Sequence, residues 1–297
     1  MKLNGGRERQ MKYIFANLKR FDIPVELDGI NRMAPAAEWG TYLTEQIQKT
    51  MKEFEEEAQF GIFYPEAYLI QAAAAKEPGS RWKIGAQGIY REDTQKGGNF
   101  GAFTTNKTAR SVKALGGEYV LIGHCEERMD KSGVLAEAGV CDPGAVNRLL
   151  GKEIRCAAKV GLEILYCVGE NEEEQSRWQE VIGEQLETAL QEAGEAKVAI
   201  AYEPLWAIGP GKPVPDKESI TRVAKFIKEK TGGLPVIYGG GLKEENARML
   251  ASIPEVDGGL IGLTRFSGEI GFYPDGFDAI VRAVSYTHLT LPTNSRV

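Results

Sequence analysis

The sequence predicts an α/β fold and, within that class, a single closed (β/α)8 barrel. Three observations carry the prediction. Eight short apolar or β-branched runs recur along the 297 residues. They begin about 35 residues apart on average, room for one strand, one helix and two loops per unit. No Pro/Ser-rich linker or low-complexity run divides the chain. Eight such units favour a barrel closed on itself over an open doubly wound sheet.

The runs are 13–17 (YIFAN), 60–64 (FGIFY), 82–87 (WKIGAQ), 119–122 (YVLI), 163–167 (EILYC), 198–202 (VAIAY), 235–238 (PVIY) and 259–261 (GLI). Each is bounded by Gly, Pro or polar residues, the pattern of parallel strands buried on both faces. Helical spacing appears between them. Residues 179–193 place Val181, Ile182, Leu186 and Leu190 on one face, and 217–230 do the same with Ile220, Val223, Ala224, Phe226 and Ile227. Pro215-Asp216 supplies a start signal for the second. Both ends look foreign to this pattern. Residues 1–10 are polar and Gly-containing, and 284–293 (VSYTHLTLPT) resemble a translated sequencing adapter. The fold is therefore expected over 11–283, with 1–10 and 284–297 outside it. His124 is then the one histidine of the barrel.

Composition narrows the function. The 42% apolar and 26% charged residues are the balance of a soluble globular protein. A net charge of −6 argues against nucleic acid as a partner. It also means that an anionic substrate needs a local positive site. The four cysteines include no CxxC pair and only two histidines are present, so zinc spacing is absent and no metal is expected. Free thiols without a secretory signal fit a reducing cytoplasm. No run approaches the roughly 20 apolar residues of a membrane span.

In such barrels chemistry sits where strands end and loops begin. Asn17 and Lys19 follow the first strand, His124 the fourth and Glu203 the sixth. Taken singly, each has a plain structural reading: Asn17 a turn cap, Lys19 a solvated loop cation, His124 a satisfied structural residue, Glu203 a capping carboxylate. Their shared position at strand ends raises them together. Proton transfer beside a carbonyl needs a carboxylate base and donors that hold the developing oxyanion. Glu203 suits the first role, His124 and Lys19 the second. The segment after Glu203 reads as a lid: Pro204-Leu205-Trp206 is stiff, Ala207-Ile208-Gly209 small, and Pro210-Gly211-Lys212 a hinge. Glycine-rich ends follow the last two strands, at 239–241 and 258–262, where barrels often bind phosphate through backbone N–H groups and a short helix N-terminus, expected here after the eighth strand to add its dipole. The GPGK of the lid is no P-loop, because no Ser or Thr follows Lys212.

These residues resemble the triosephosphate isomerase family. ANLKRF is similar to its opening Asn-x-Lys segment, IGHCEER to its Gly-His-Ser-Glu-Arg motif, and AYEPLWAIGPGK to its base-and-lid signature. CVGE at 167–170, YGGGLKEEN and GNFGAFTTN also match, in the right order over 11–283. The resemblance implies an aldose–ketose isomerase without cofactor, acting on glyceraldehyde 3-phosphate and dihydroxyacetone phosphate. Asn17 and Lys19 would bind substrate oxygens, His124 as neutral imidazole would polarise the carbonyl, and Glu203 would move the proton, a pattern long described for this family itself. Glu126, with Cys125 beside it, would support the site, and Gly209, Gly241, Gly262 and Leu263 would cradle phosphate. The loop from Gly98 to Asn106, with Phe103 and Thr104 near its tip, would dock into a second copy, giving a cytoplasmic homodimer.

The chain departs from the family pattern in places. Leu18 stands for Trp, Arg20 for Met, Cys125 for Ser, Gly241 for a phosphate-binding Ser, and Leu263 for the second glycine of a pair. Arg265, two residues on, is a candidate cation to offset the missing hydroxyl, or else half of a surface ion pair. The altered phosphate loops leave open a sibling isomerase acting on another short ketose phosphate, such as a four-carbon one. A non-catalytic paralogue and a Schiff-base aldolase using Lys19 are the readings from other classes.

Overall fold

A computed structural model describes residues 12–208, 212 and 215–285. Its eight strands are β1 (Tyr13–Asn17), β2 (Gln59–Tyr64), β3 (Lys83–Ala86), β4 (Tyr119–Ile122), β5 (Glu163–Val168), β6 (Val198–Tyr202), β7 (Val236–Tyr238) and β8 (Gly258–Ile261). They pair in parallel in sequence order, and β8 returns to β1, with Ile14 opposite both Phe60 and Gly259. The closed barrel is thus as the spacing predicted.

The two-residue period of each strand divides the core. Ile14 and Ala16 face the surrounding helices, while Phe15 faces inward. Phe63, Tyr119, Leu121, Leu165, Cys167, Ala199, Ala201, Ile237 and Leu260 join Phe15 in the barrel interior. Two glycines make this filling possible. A Cβ on Gly61 would meet the Phe15 ring at 2.6 Å, and neither Gly61 nor Gly85 leaves room for one beside the aromatic side chains. The N-terminal mouth is plugged by Glu163, whose carboxylate receives Lys83 at 2.6 Å and Lys197 at 3.2 Å. Chemistry is left to the opposite, C-terminal mouth.

Nine α-helices surround the barrel among the described residues: α1 (Trp39–Glu53), α2 (Leu69–Ala75), α3 (Ala109–Ala114), α4 (Cys125–Glu137), α5 (Pro143–Lys159), α6 (Trp178–Leu190), α7 (Lys217–Thr231), α8 (Glu244–Ala251) and α9 (Pro274–Ser285). The count exceeds one per strand because two helices follow β4. The sequence of α4, CEERMDKSGVLAE, has no sustained apolar stripe, and α4 buries no residue. The barrel is covered instead by α5, through Val146, Leu150, Ile154 and Ala157. The Asp216 carboxylate accepts the Ser219 N–H at 2.7 Å and starts α7 where the Pro-Asp signal placed it.

The C-terminal boundary is corrected. α9 runs through Ser285, two residues beyond 283, because Val284 continues the stripe of Phe277, Ile280 and Val281 into the core and is 1% exposed. Residues 1–10 and 286–297 lie outside the described residues. No described helix is long and apolar enough to cross a membrane.

Candidate active site

The ends of β1, β4 and β6 bring the predicted residues together. Asn17 closes β1 and is buried, and its carboxamide oxygen accepts the backbone N–H of Lys19 at 3.1 Å. Lys19 has a left-handed backbone, φ 42°, a costly conformation for a lysine. Gln87, just past β3, holds it there by donating Nε2 to the Lys19 carbonyl at 3.0 Å and to the Phe63 carbonyl at 3.2 Å. The Lys19 ammonium is thereby aimed at Glu126 Oε1, 2.6 Å away.

His124 is the N-cap of α4. Its Nδ1 lies 2.9 Å from Glu126 Oε2 and 3.4 Å from the Glu126 N–H. Its Nε2 lies 3.1 Å from Oε1 of Glu203. The preceding Gly123 is clamped from both sides: its N–H donates to Glu127 at 2.6 Å, and its carbonyl accepts Arg128 Nε at 2.9 Å. The Arg128 guanidinium also binds Asn147, the Tyr166 hydroxyl and the Cys167 carbonyl, each at 2.9 Å. The imidazole therefore sits on a fixed backbone, as catalytic positioning requires.

Glu203 follows β6 and is 2% exposed. Its two oxygens are unequal. Oε2 accepts the Cys125 N–H at 3.0 Å, whereas Oε1 accepts no aligned hydrogen bond among the described residues, despite its closeness to His124. One oxygen is anchored and the other keeps a lone pair available for a proton. Burial pushes the Glu203 carboxyl above the ordinary value, with His124, the Cys125 N–H, Lys19 and Arg128 pulling the other way. Burial would lower the His124 pKa, but the Glu203 charge overrides it, assisted by Cys125 and Glu126, and pushes it up to about 10. The His124 hydrogen bond, followed by Lys19, pulls Glu126 down to about 2 against its own burial.

The ring lies between two carboxylates, Glu126 at Nδ1 and Glu203 at Nε2, and their charge favours its protonated form over the neutral imidazole. The cause is direct contact with Glu203. Glu126 does more than support the site from behind, since it links Lys19 to His124 directly. Cys125 replaces a serine at no cost to the Glu203 contact, because that contact is made by the backbone N–H. Its Sγ lies 3.5 Å from His124 Nδ1.

The phosphate loops are less uniform. Gly241 has φ 94°, which suits glycine, and Gly262 has open space where a Cβ would point. The N–H groups of Gly241, Gly262 and Leu263 find no acceptor among the described residues. Gly209 lies outside the described residues. Arg265 does not join this group. Its Nη2 is 2.5 Å from Asp275 Oδ2, and its guanidinium lies 3.9 Å from the Tyr273 ring centroid. A local carboxylate thus meets its charge. A short helix after β8, expected to add its dipole, is also absent from the described residues. A small hairpin bridged by Arg265 and Gly271 stands there instead.

Three contributors escaped the sequence reading. Gln87 carried the same signal as the other strand ends but no motif. Glu170, in CVGE, accepts from the Tyr202 hydroxyl at 3.0 Å and from Trp206 Nε1 at 2.8 Å, tying the lid's root to β6. Gly239 lies against the Glu203 stem, where a Cβ would come within 2.8 Å of its Cγ.

Comparison with known proteins accords with this geometry. Residues 33–269 match the family model described as triosephosphate isomerase. The chain is 35% identical over 208 residues to a triosephosphate isomerase of Bdellovibrio bacteriovorus, covering 68% of this chain and 79% of the relative. It is 34% identical over 232 residues to one of Halorhodospira halophila, covering 73% and 83%. Among solved structures, the triosephosphate isomerase of Bartonella henselae superposes with a TM-score of 0.68 at 24% identity, over 93% of this chain and 99% of that one, a likeness of fold.

Proposed function

Because this chain belongs to the triosephosphate isomerase family, we propose that it interconverts glyceraldehyde 3-phosphate and dihydroxyacetone phosphate by proton transfer through an enediolate. The observation that carries the reading is the asymmetry of Glu203: one oxygen anchored to the Cys125 N–H, the other buried, unbonded and 3.1 Å from His124 Nε2. A carboxylate so placed takes a proton from the carbon beside a carbonyl. Desolvation makes it a stronger base than a solvated glutamate. His124 and Lys19 face the two substrate oxygens on which negative charge develops, and Asn17 fixes Lys19 for that role. Glu203 then delivers a proton to the neighbouring carbon, the one it took or one exchanged with solvent while it sits on the carboxyl, so nothing is consumed and no cofactor takes part. Trp206, tied to Glu170, roots a lid that keeps water from the enediolate. The shared name of the relatives favours the three-carbon substrate over a four-carbon one.

The proposal extends to assembly and location. Phe100 is 90% exposed in the loop from Gly98 to Asn106, while Phe103, expected at the tip, packs edge-on against Tyr90 at 5.7 Å. A large aromatic side chain offered in this way suits docking into a second copy, and a homodimer follows. A cytoplasmic place suits an enzyme of triose phosphates with four unpaired cysteines.

The test of function is the purified chain assayed in both directions with triose phosphates. Turnover is expected. Glu203→Asp, which withdraws the carboxylate by about one bond, lowers kcat by ~10²-fold, the scale of such misplacement. Wild-type turnover in that variant would remove Glu203 as the base.

A further inference from the structure

We propose that the Lys243 ammonium is a cation, further to Lys19, that receives the substrate's phosphate. This inference rests on the reading of the chain as a triose phosphate isomerase. A chain with net charge −6 has to bring a dianion to its barrel mouth. Backbone N–H groups of Gly241, Gly262 and Leu263 supply hydrogen bonds but no formal charge, and the Lys19 ammonium is paired with Glu126 at 2.6 Å. Arg265 is already paired with Asp275 and stacked on Tyr273.

Lys243 differs from Arg265 on both counts. No carboxylate lies within ion-pair distance of its ammonium among the described residues, although Glu244 and Glu245 follow it in the chain. The charge rests instead 3.9 Å from the ring centroid of Phe266, itself 46% exposed. An aromatic face holds an ammonium more weakly than a phosphate dianion does, so the group is free to change partners. Its position is also fitting. Lys243 belongs to the β7–α8 loop and Phe266 to the β8–α9 loop, the two that carry the free N–H groups. A Cβ built on Gly241 would lie 3.8 Å from Lys243 Cε. The lysine stem therefore passes the place where a serine would begin in the family pattern. Asn246 fixes the approach: its Oδ1 accepts the Lys243 N–H at 2.8 Å, and its Nδ2 donates to the Gly241 carbonyl at 2.9 Å.

The experiment compares wild type with Lys243→Met, which keeps the length and the apolar contact with Phe266 but removes the charge. KM for glyceraldehyde 3-phosphate and the inhibition constant of inorganic phosphate should rise together by tenfold or more, with kcat changed less than threefold. Lys243→Arg should restore most of the affinity. Lys225→Met, on the exposed face of α7, changes the net charge equally and should leave both constants within twofold of wild type. Unchanged KM and unchanged phosphate inhibition in Lys243→Met overturn the proposal. If wild type turned over no triose phosphate, the functional reading would fail separately. Calorimetric titration of both proteins with inorganic phosphate then still decides on Lys243, since equal affinities overturn it and a tenfold loss upholds it.

Discussion

At the scale of single residues, the site is a chain of charges: Lys19 to Glu126, Glu126 to His124, His124 to Glu203. Its members stabilise the fold over different pH ranges. The His124 pKa is raised from 6.5 to about 10, so its contribution is fully present below about pH 6.5 and is lost as pH rises through about 10. Glu126 is lowered from 4.5 to about 2, so its contribution is present above about pH 4.5 and is lost as pH falls through about 2. Both act in full between about pH 4.5 and 6.5. The urea midpoint difference between wild type and His124→Gln is expected to narrow as pH rises from about 6.5 towards 10. A difference that widened with rising pH would show that His124 is not held as an imidazolium. Three of these residues were legible in the sequence because each follows an apolar run. The pairing of His124 with Glu203 was not legible, because it depends on an approach of 3.1 Å between residues 79 positions apart that only barrel closure creates.

At the scale of elements, strand ends were read within about two residues, because Gly, Pro and charged residues mark them so clearly. Helices were harder. The α4–α5 pair could not be separated by period, since α4 buries no residue and so carries no stripe to read. The hairpin after β8 was read as a helix start for a similar reason: nothing in its sequence shows that Arg265 turns to Asp275. The lid's root gives an element-scale prediction. Glu170 holds Trp206 and the Tyr202 hydroxyl by two hydrogen bonds, and burial raises its pKa despite both. Glu170→Leu removes the one oxygen that accepts both bonds and leaves the buried Tyr202 hydroxyl and the half-buried Trp206 Nε1 unmet, a cost of roughly 1–3 kcal/mol for the hydroxyl. The global fold has other supports, so the loss should appear chiefly in lid closure. We expect kcat to fall at least fivefold and Trp206 fluorescence to lose its response to substrate. Retention of both would show that Glu170 is only a packing residue.

At the scale of the whole molecule, the barrel separates stability from chemistry. The Glu163 network closes one mouth, aromatic side chains fill the middle, and the other mouth carries the proton-transfer groups. Assembly belongs to this scale too. A homodimer built on Phe100 should sediment as two copies at micromolar concentration, and Phe100→Ser should shift it to monomer with loss of activity. A fully active wild-type monomer would refute the dimer. The central claim, that Glu203 carries a proton between adjacent carbons, has its most direct test in D2O. Dihydroxyacetone phosphate incubated with the protein should take up deuterium at one C1 position, and the glyceraldehyde 3-phosphate formed should carry it at C2, both followed by proton NMR. Glu203→Gln should abolish both. Conversion or deuterium uptake that survives in Glu203→Gln would contradict the account.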